Sequence, residues 1–322
     1  MAEYPPFYAP VLGDLARVEE NLHNIWAGQF SGLSPLLAHT LEAPGKRVRP
    51  ALTLLASRLH PGSQETPVLA ATAVELLHIA TLVHDDTVDK APLRRGRPTL
   101  SHLWGPQAAI LVGDYLFALS AVFICDTRNL RVVRRFAQTI QELSAGELME
   151  HFTAYDWRQG RERYWERVYH KTASLFATAA EVGAVVSGAP EEEVTALREY
   201  GRSLGMAFQV VDDLLDFEGD PEEVGKPVGN DLAQGTLTLP ALLLLERFPQ
   251  DNPIPKAFQG EDQEANLRKA LQMVKASGIL GEASQVAAEL CRQATGALAP
   301  LPEGEVKASL HALASFVLER RK

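Results

Sequence analysis

The sequence predicts an all-α protein, a single-domain bundle of about ten or more helices spanning residues 1–322. Three observations support this prediction. No stretch shows the strict apolar–polar alternation of a half-buried strand. Apolar residues instead recur at helical spacing in most segments, and Pro and Gly separate those segments. Finally, two helical segments end in the same acidic pattern, and helix bundles commonly hold metal ions between such side chains.

Pro and Gly set the limits of the predicted helices in the first half of the chain. Residues 12–41 are helical, with interruptions at Gly28, Gly32 and Pro35. The next helix covers residues 51–59, and Pro67 starts the first acidic helix, because Pro is favoured near a helix N-terminus. Two further helices are predicted at residues 108–124 and 131–152.

The second half continues with helices at residues 168–186, 191–216 and 238–247, followed by two or three amphipathic helices. Residues 219–229, which are rich in Gly and Pro, and residues 248–255, which contain three prolines, are predicted as surface segments. The first of them is not a Walker A loop, because Pro227 stands where that motif requires Ser or Thr.

Composition excludes several classes of protein. The formal net charge of −10 and the pI of about 5.4 argue against a nucleic-acid partner, which basic stripes would indicate. The two cysteines, Cys125 and Cys291, have no CxxC neighbour, so a disulfide framework or zinc site is not expected. No signal peptide or apolar run of about 20 residues is evident. We therefore expect a cytoplasmic protein with no transmembrane segment.

The chemistry of the chain is concentrated in two D-D-x-x-D triplets, each at the end of an apolar helical run. They are Asp85, Asp86 and Asp89, and Asp212, Asp213 and Asp216. A single acidic triplet usually marks a solvated helix face. Two triplets with identical spacing, each ending an apolar run, are not typical of solvated faces. Carboxylates this dense repel one another unless cations neutralise them. We predict two opposed clusters that bind Mg²⁺, which accepts hard oxygen ligands and keeps positions for substrate phosphates.

Two basic loops accompany the acidic helices. The loop at residues 44–50 carries Lys46, Arg47 and Arg49, and the loop at 94–99 carries Arg94 and Arg95 directly after the first triplet. Arg binds phosphate oxygens through its planar fork, and Lys acts as a point charge. Solvated turns remain the alternative for each loop taken alone, but beside a diphosphate site both are better interpreted as phosphate donors.

The chain resembles the trans-isoprenyl (polyprenyl) diphosphate synthases, relatives of geranylgeranyl and longer-chain prenyl diphosphate synthases. Five motifs carry the resemblance between about residues 44 and 245: GKRVRP at 45–50, HDDTVD at 84–89 with RRGRPT at 94–99, KTASL at 171–175, FQVVDDLLD at 208–216 and GKPVGNDL at 225–232. The resemblance implies a bundle around a deep prenyl pocket, with an allylic diphosphate and isopentenyl diphosphate as substrates. It also implies a homodimer. The almost uniformly apolar residues 108–124 fit either a dimer interface or a central core helix, and the pattern alone does not decide between them.

The resemblance also implies roles for individual residues. Asp85, Asp89 and Asp212 would bind three Mg²⁺ ions, with Asp86, Asp213 and Asp216 in the same acidic patches. The expected contacts of the allylic diphosphate are Arg94, Lys171, Thr172, Gln209 and Lys226. The expected contacts of isopentenyl diphosphate are Lys46, Arg47, Arg49, His78 and Arg95. From its position in the sequence alone, His78 fits a histidine packed in the core as well as it fits a substrate ligand.

Product length is predicted from the helix that carries Asp85. Thr81 and Ala80 lie one turn before Asp85, and Leu77 lies deeper, so none places an aromatic ring beside a prenyl tail. The resemblance implies that an aromatic residue there stops elongation early. We therefore predict a product longer than farnesyl, with geranylgeranyl as the minimum and about C30–C50 favoured. Phe123 or Phe136 could form a deeper stop.

Two positions depart from the family pattern. Thr236 occupies a place where members commonly carry Lys, which removes one peripheral phosphate contact. Glu150 stands where longer-chain members commonly have Gln, and its carboxylate is a further candidate metal ligand.

Three alternative functions stay open at this point. A class I terpene cyclase would show a different second metal motif, and neither register from Asp212 or Asp213 fits it. An HD-like metal phosphohydrolase could use His78, His84 and Asp85, but leaves the second triplet and GKRVRP unexplained. A non-catalytic partner subunit would be expected to lose acidic positions, and all six are present.

Overall fold

A computed structural model describes residues 4–60, 62, 65–94, 96–218 and 228–320. These residues are mostly helical and contain almost no strand, which confirms the predicted all-α class. Two predicted substrate contacts, Arg95 and Lys226, lie outside the described residues.

The helices of the first half begin with a 3₁₀ turn at Pro6–Val11. The α-helices that follow are α1 (Leu12–Ala27), α2 (Ser34–Leu41), α3 (Val48–Ser57), α4 (Glu65–Val88), α5 (Leu100–Trp104), α6 (Pro106–Asp126) and α7 (Leu130–Thr153). Between α4 and α5, strands β1 (Leu93–Arg94) and β2 (Arg97–Pro98) pair antiparallel.

The second half contains helix α8 (Arg161–Val168), a π-helical turn at Tyr169–Ala173, α9 (Ser174–Val186) and α10 (Glu191–Glu218). The shorter and C-terminal helices are α11 (Asn230–Ala233), α12 (Leu239–Arg247), α13 (Pro253–Phe258), α14 (Gln263–Ala276), α15 (Ile279–Ala297) and α16 (Glu305–Glu319).

The chain divides into two compact units, and each combines segments that are distant in sequence. Unit 1 comprises residues 1–139, 175–201 and 297–313, and unit 2 comprises residues 140–174, 202–296 and 314–322. The first acidic helix therefore belongs to unit 1 and the second acidic triplet to unit 2. The single-domain organisation stays a prediction.

Two local predictions were wrong. The segment after α4 was predicted as a loop, but it contains a hairpin whose two strands have two residues each. Gly96 between the strands adopts a positive φ. The predicted surface segment at 248–255 runs into helix α13, whose first residues Pro253 and Ile254 are buried. Its start is fixed by Asn252, whose side chain accepts a hydrogen bond from the amide of Ile254, and Pro is well suited to a first helical turn.

Helix α4 is the central helix of unit 1, and it packs against α3 and α6. Its residues between Pro67 and Ala80 are buried almost without interruption, so the polar end of the helix is held by an apolar stem. Beyond Val88 the helix stops, and Lys90 adopts a positive φ of 52° that turns the chain toward the hairpin.

Close approach of α6 to the acidic end of α4 depends on Gly113. A Cβ atom at this position would lie 2.1 Å from Nε2 of His84, so any side chain there would displace the imidazole of His84. The same imidazole nitrogen lies 3.2 Å from the carbonyl oxygen of Ile110. Since His84 directly precedes Asp85, this contact fixes the start of the acidic triplet against α6.

The expectation that the chain holds no apolar run of about 20 residues is wrong, because helices α4 and α6 are long and apolar enough to cross a membrane by length and composition. The apolar stretch of α4 is mostly buried within the protein, as in the core helix of a soluble protein, whereas α6 is buried over 33% of its stretch. Two such helices are weak grounds for a membrane span, and the predicted absence of a transmembrane segment stays a prediction.

Candidate active site

The first acidic triplet separates into two outward carboxylates and one inward carboxylate. Asp85 is partly exposed and Asp89 is exposed, whereas Asp86 is 6% exposed. Nε of Arg94 donates a hydrogen bond of 2.6 Å to Oδ1 of Asp86. This ion pair holds the basic hairpin against the end of α4. Asp85 and Asp89, four residues apart on one helix face, are therefore the oxygens best placed to meet a cation from solvent.

The predicted isopentenyl diphosphate contacts Arg49 and His78 lie together in unit 1. Nη1 of Arg49 is 3.1 Å from Nε2 of His78, and the guanidinium carbon stacks 4.5 Å from the ring centroid of Phe176. Stacking on an aromatic face restrains the guanidinium plane. Lys46, in the loop before α3, is exposed.

Arg47 is placed differently from its predicted role. It is 8% exposed and directed inward, where its guanidinium meets the carboxylates of Glu19 and Glu75. The structure therefore does not present Arg47 to an incoming diphosphate, because the carboxylates of Glu19 and Glu75 already pair with its guanidinium.

The three predicted chain-length residues occupy the buried stem of α4. Leu77 and Ala80 are fully buried, and Thr81 is half-buried with its hydroxyl donating to the carbonyl oxygen of His78. Phe136, a candidate deeper stop, is 1% exposed in unit 1. The small side chain of Ala80 therefore has close neighbours, and a larger residue there must displace something.

The second acidic triplet, on α10 in unit 2, has one carboxylate that is fully enclosed by donors. Oδ2 of Asp213 accepts hydrogen bonds from the hydroxyl of Tyr164 at 2.6 Å and from the amide of Leu239 at 3.1 Å. Its Oδ1 accepts from Nε2 of Gln209 at 2.9 Å. Burial raises the pKa of Asp213, and these donors oppose that rise. The network favours a positioning role for Asp213; its assignment as a metal ligand stays a prediction.

Asp213 orients two predicted substrate contacts through one hydrogen-bond chain. With Nε2 of Gln209 donating to Asp213, the amide oxygen Oε1 of Gln209 accepts from the hydroxyl of Thr172 at 2.7 Å. The carboxylate thereby fixes which end of the Gln209 amide faces Thr172.

Lys171 lies in the π-helical turn, a form that is frequent at functional sites. Its ammonium group contacts Oε2 of Glu147 at 2.9 Å and donates to Glu150. Gly146 allows this approach, since a Cβ there would lie 2.6 Å from the backbone nitrogen of Lys171. Burial would raise the pKa of Glu150, but the charges of Lys171 and Arg167 outweigh it, and the pKa lies below its usual value.

Asp212 and Asp216 are partly exposed. Asp212 forms an ion pair, and Asp216 has a raised pKa. Nη2 of Arg320, near the C-terminal end of the described chain, lies 3.2 Å from Oδ1 of Asp212 and stacks over Phe208. Burial and the neighbouring charge of Asp231 raise the pKa of Asp216 to about 8. Oδ2 of Asp216 is buried and has no hydrogen-bond partner among the described residues.

The donor set fits a hard divalent cation. An unpaired buried carboxylate oxygen beside a second carboxylate is the environment that a cation stabilises. Within the described residues, no three acidic, His or Cys side chains already converge as a preformed cage. Mg²⁺ usually binds proteins through one or two carboxylates together with substrate phosphates. The predicted opposition of Asp85 and Asp212 stays a prediction, because they lie in different units.

Four residues that organise these sites were not predicted from the sequence: Glu19, Glu75, Tyr164 and Arg320. Glu75 had a signal, since a carboxylate in an otherwise apolar stretch of α4 needs a cationic partner. Tyr164 and Arg320 had none, because their contacts connect distant positions of the chain.

A surface groove of about 480 Å³ in unit 2 contains none of the predicted site residues. Its lining includes Trp165, Met206 and side chains of α15 such as Glu282 and Arg292.

The fold and these sites together define a class, the all-α proteins that handle diphosphates through aspartate-rich helices. A family model described as polyprenyl synthetase matches residues 31–274. The chain belongs to the polyprenyl synthetase family, which confirms the predicted enzyme class, a trans-prenyltransferase.

Relatives and solved structures agree with this family. The heptaprenyl diphosphate synthase component 2 of Geobacillus stearothermophilus is 36% identical, with 97% of this chain and 98% of that protein covered. A decaprenyl diphosphate synthase from Rhodobacter capsulatus superposes with a TM-score of 0.91 at 36% identity, covering 98% of each chain. A polyprenyl synthase from Caulobacter crescentus, complexed with calcium and isoprenyl diphosphate, gives a TM-score of 0.92 at 35% identity, covering 98% and 97%.

Proposed function

We propose that this enzyme extends an allylic prenyl diphosphate with isopentenyl diphosphate and releases an all-trans product of about C30–C50. The observation that carries the proposal is the intact pair of acidic triplets, each accompanied in its own unit by cationic side chains of the kind that bind phosphate. Names of similar proteins, heptaprenyl and decaprenyl diphosphate synthase, support a long product.

In unit 1, some of the site residues bind the metal and others bind isopentenyl diphosphate. Asp85 and Asp89 present the outward oxygens for Mg²⁺, and Asp86 anchors Arg94 near them. Lys46, Arg49 and His78 provide the donors for the isopentenyl diphosphate, with Arg49 held flat against Phe176. Two of these contacts, Arg49 and His78, already touch each other.

In unit 2, Lys171, Thr172 and Gln209 form a row of polar side chains for the diphosphate of the allylic substrate. Lys171 carries the charge, and the Asp213 network orients Gln209 and Thr172. Asp212 and Asp216 provide the carboxylates for Mg²⁺. Lys226 and Arg95, outside the described residues, keep their proposed roles as further phosphate contacts.

The proposed cofactor is Mg²⁺, with three ions per active site. When bound, these ions neutralise the charge that develops on the departing pyrophosphate. The chain itself supplies cations that share this task and apolar side chains that keep water from the allylic group. No side-chain nucleophile is required. The calcium in the Caulobacter crescentus complex supports a divalent-cation site in that similar protein.

One incubation tests the proposal. The purified enzyme is supplied with isopentenyl diphosphate, Mg²⁺ and one allylic primer at a time, and the products are separated by chain length. We expect prenyl diphosphates longer than C20 and no product when Mg²⁺ is chelated. Free phosphate without chain growth would favour the phosphohydrolase, and a hydrocarbon from geranylgeranyl diphosphate alone would favour the cyclase.

We further propose that the enzyme is a homodimer through α6. Ile110, Leu111 and Val122 on this helix are 47%, 68% and 54% exposed, an apolar face larger than scattered surface residues produce. Sedimentation should give a dimer of the 35.2 kDa chain. Leu111→Glu should give monomers, whereas Leu12→Glu, at an exposed leucine on another helix, should not.

The Geobacillus stearothermophilus relative is named as a component, so a different partner subunit is the competing assembly. Activity of the purified chain alone would support the homodimer, and activity only after addition of a second subunit would contradict it. A requirement for detergent would instead indicate that α6 contacts a membrane. We expect a cytoplasmic location, in keeping with two cysteines that are both free.

A further inference from the structure

The side chain of Arg47 is enclosed by carboxylates within unit 1. Its Nε donates to Oε1 of Glu19 at 2.7 Å, and its Nη1 donates to Oε1 of Glu75 at 2.8 Å. Its Nη2 donates to Oε2 of Glu19 at 3.2 Å and lies 3.5 Å from the carbonyl oxygen of Leu41. The side chains of Arg47 and Glu75 are only 7% and 6% exposed. All three nitrogens of the guanidinium therefore already have partners.

A diphosphate could bind Arg47 only by displacing these carboxylates. Displacement from Glu75 would leave a buried anion without its partner, and uncompensated buried charges are strongly unfavourable. Binding of one anion in exchange for another also gains little Coulomb energy. The guanidinium is thus committed to α1 and α4, which carry Glu19 and Glu75.

The backbone of Arg47 explains what this commitment achieves. Its φ of 47° and ψ of 40° place it in the left-handed region, which costs an L-residue other than glycine about 1–2 kcal/mol. This turn directly precedes α3, and it separates exposed Lys46 from half-buried Arg49. The ion pairs with Glu19 and Glu75 hold the Arg47 side chain inward. They thereby stabilise the unfavourable backbone conformation of Arg47. The directions of both neighbouring cations depend on this turn.

We propose that Arg47, with Glu19 and Glu75, is a positioning group that sets the geometry of Lys46 and Arg49 for isopentenyl diphosphate, and that Arg47 itself does not touch the substrate. This inference rests on the proposed function, in which Lys46 and Arg49 bind that diphosphate. It differs from the role that the family resemblance implied for Arg47.

A double-mutant cycle between Arg47 and Glu75 tests the proposal. Steady-state KM values for isopentenyl diphosphate are measured for Arg47→Ala, Glu75→Ala and the double variant. We expect each single variant to raise this KM on the order of tenfold, as loss of an orienting partner commonly does, and the double variant to match the singles. The KM for the allylic diphosphate should change less than twofold. If Arg47→Ala raises the KM while Glu75→Ala leaves or lowers it, Arg47 is a ligand and the proposal is overturned.

Glu19→Gln provides a milder variant should Glu75→Ala fail to fold, since the Glu19 side chain is 38% exposed. Glu19→Gln should also raise the KM for isopentenyl diphosphate, and amide hydrogen exchange should accelerate at residues 46–49. Unchanged exchange and unchanged KM in folded Glu19→Gln would overturn the proposal.

Arg49→Ala separates this test from a failure of the proposed function. An unchanged KM for isopentenyl diphosphate in Arg49→Ala would refute the substrate site itself. A raised KM there, with no effect at Glu19 or Glu75, would refute only the positioning role of Arg47.

Discussion

The hydroxyl of Tyr164 donates a 2.6 Å hydrogen bond to Oδ2 of Asp213, and both side chains are buried. This contact turns the middle aspartate of an acidic triplet away from solvent. Within unit 2 it distinguishes Asp213, which positions Gln209, from Asp212 and Asp216, which are partly exposed.

Tyr164→Phe should destabilise the protein by about 1–3 kcal/mol, the usual effect of leaving a buried acceptor without one donor. Burial and the charge of Asp213 hold the pKa of Tyr164 well above its usual value, so the loss should be the same throughout neutral pH. The free energies of unfolding of Tyr164→Phe and of the parent enzyme are measured by denaturant titration. Tyr169→Phe, at a half-buried tyrosine of the π-helical turn, is the control. Equal stability of Tyr164→Phe and the parent enzyme would contradict the network.

Asp85→Ala and Asp212→Ala should each lower kcat/KM more than about 100-fold, beyond the typical loss from an outer residue of a metal site. The physical reason is that each removes an oxygen ligand from Mg²⁺. Steady-state assays at saturating Mg²⁺ provide the measurement, with Glu264→Ala on the exposed face of α14 as the control. Near-normal turnover in either aspartate variant would refute the metal assignment.

Ala80→Phe should shorten the product, because the added ring fills space beside the buried stem of α4. Overpacking of a buried alanine also costs typically about 1–3 kcal/mol, so folding is checked by thermal unfolding. Product chain lengths are then compared with those of Ala80→Ser, which preserves the small volume. An unchanged product distribution in folded Ala80→Phe would show that the prenyl tail does not pass Ala80.

Glu150→Gln distinguishes a metal ligand from a counter-ion of Lys171. Since the Glu150 carboxylate faces Lys171 and Arg167, we expect the Mg²⁺ concentration for half-maximal activity to stay unchanged. The KM for the allylic diphosphate should fall about threefold, the effect of one partly exposed ion pair that no longer competes for the ammonium. A raised Mg²⁺ requirement would instead assign Glu150 to the metal.

The ion pair of Glu19 and Arg47 predicts a specific pH dependence of stability. Burial would raise the pKa of Glu19, but the hydrogen bond and charge of Arg47 outweigh it, so the pKa lies below the usual 4.5. A carboxyl with a lowered pKa stabilises the folded state above pH 4.5, and this contribution is lost as the pH falls through the folded-state value. Glu19→Gln should therefore lower Tm at pH 7, and this Tm difference should shrink progressively as the pH falls below 4.5.

The neighbouring exposed residue Glu20 supplies the matched control, and Glu20→Gln should leave Tm nearly unchanged over the same pH range. A Tm difference for Glu19→Gln that stays as large well below pH 4.5 as it is at pH 7 would exclude an electrostatic origin.

The sequence by itself determined the helical class, the order of the helices and the residue types that meet diphosphate and metal. Helical spacing of apolar residues and punctuation by Pro and Gly are local properties, so the limits of α4, α6 and α10 could be predicted closely. The repeated acidic triplet is also local, because carboxylates four residues apart share a helix face wherever the helix lies.

Only the tertiary structure decided which of these charges are available. Lys46 and Arg47 are adjacent cations in one motif, yet one is exposed and the other is buried between carboxylates 28 residues away on either side. Asp212 and Asp213 are likewise adjacent, and only Asp213 meets Tyr164. Side chains of neighbouring residues point in different directions, and burial, which distant segments create, determines whether each charge binds a ligand or another part of the protein.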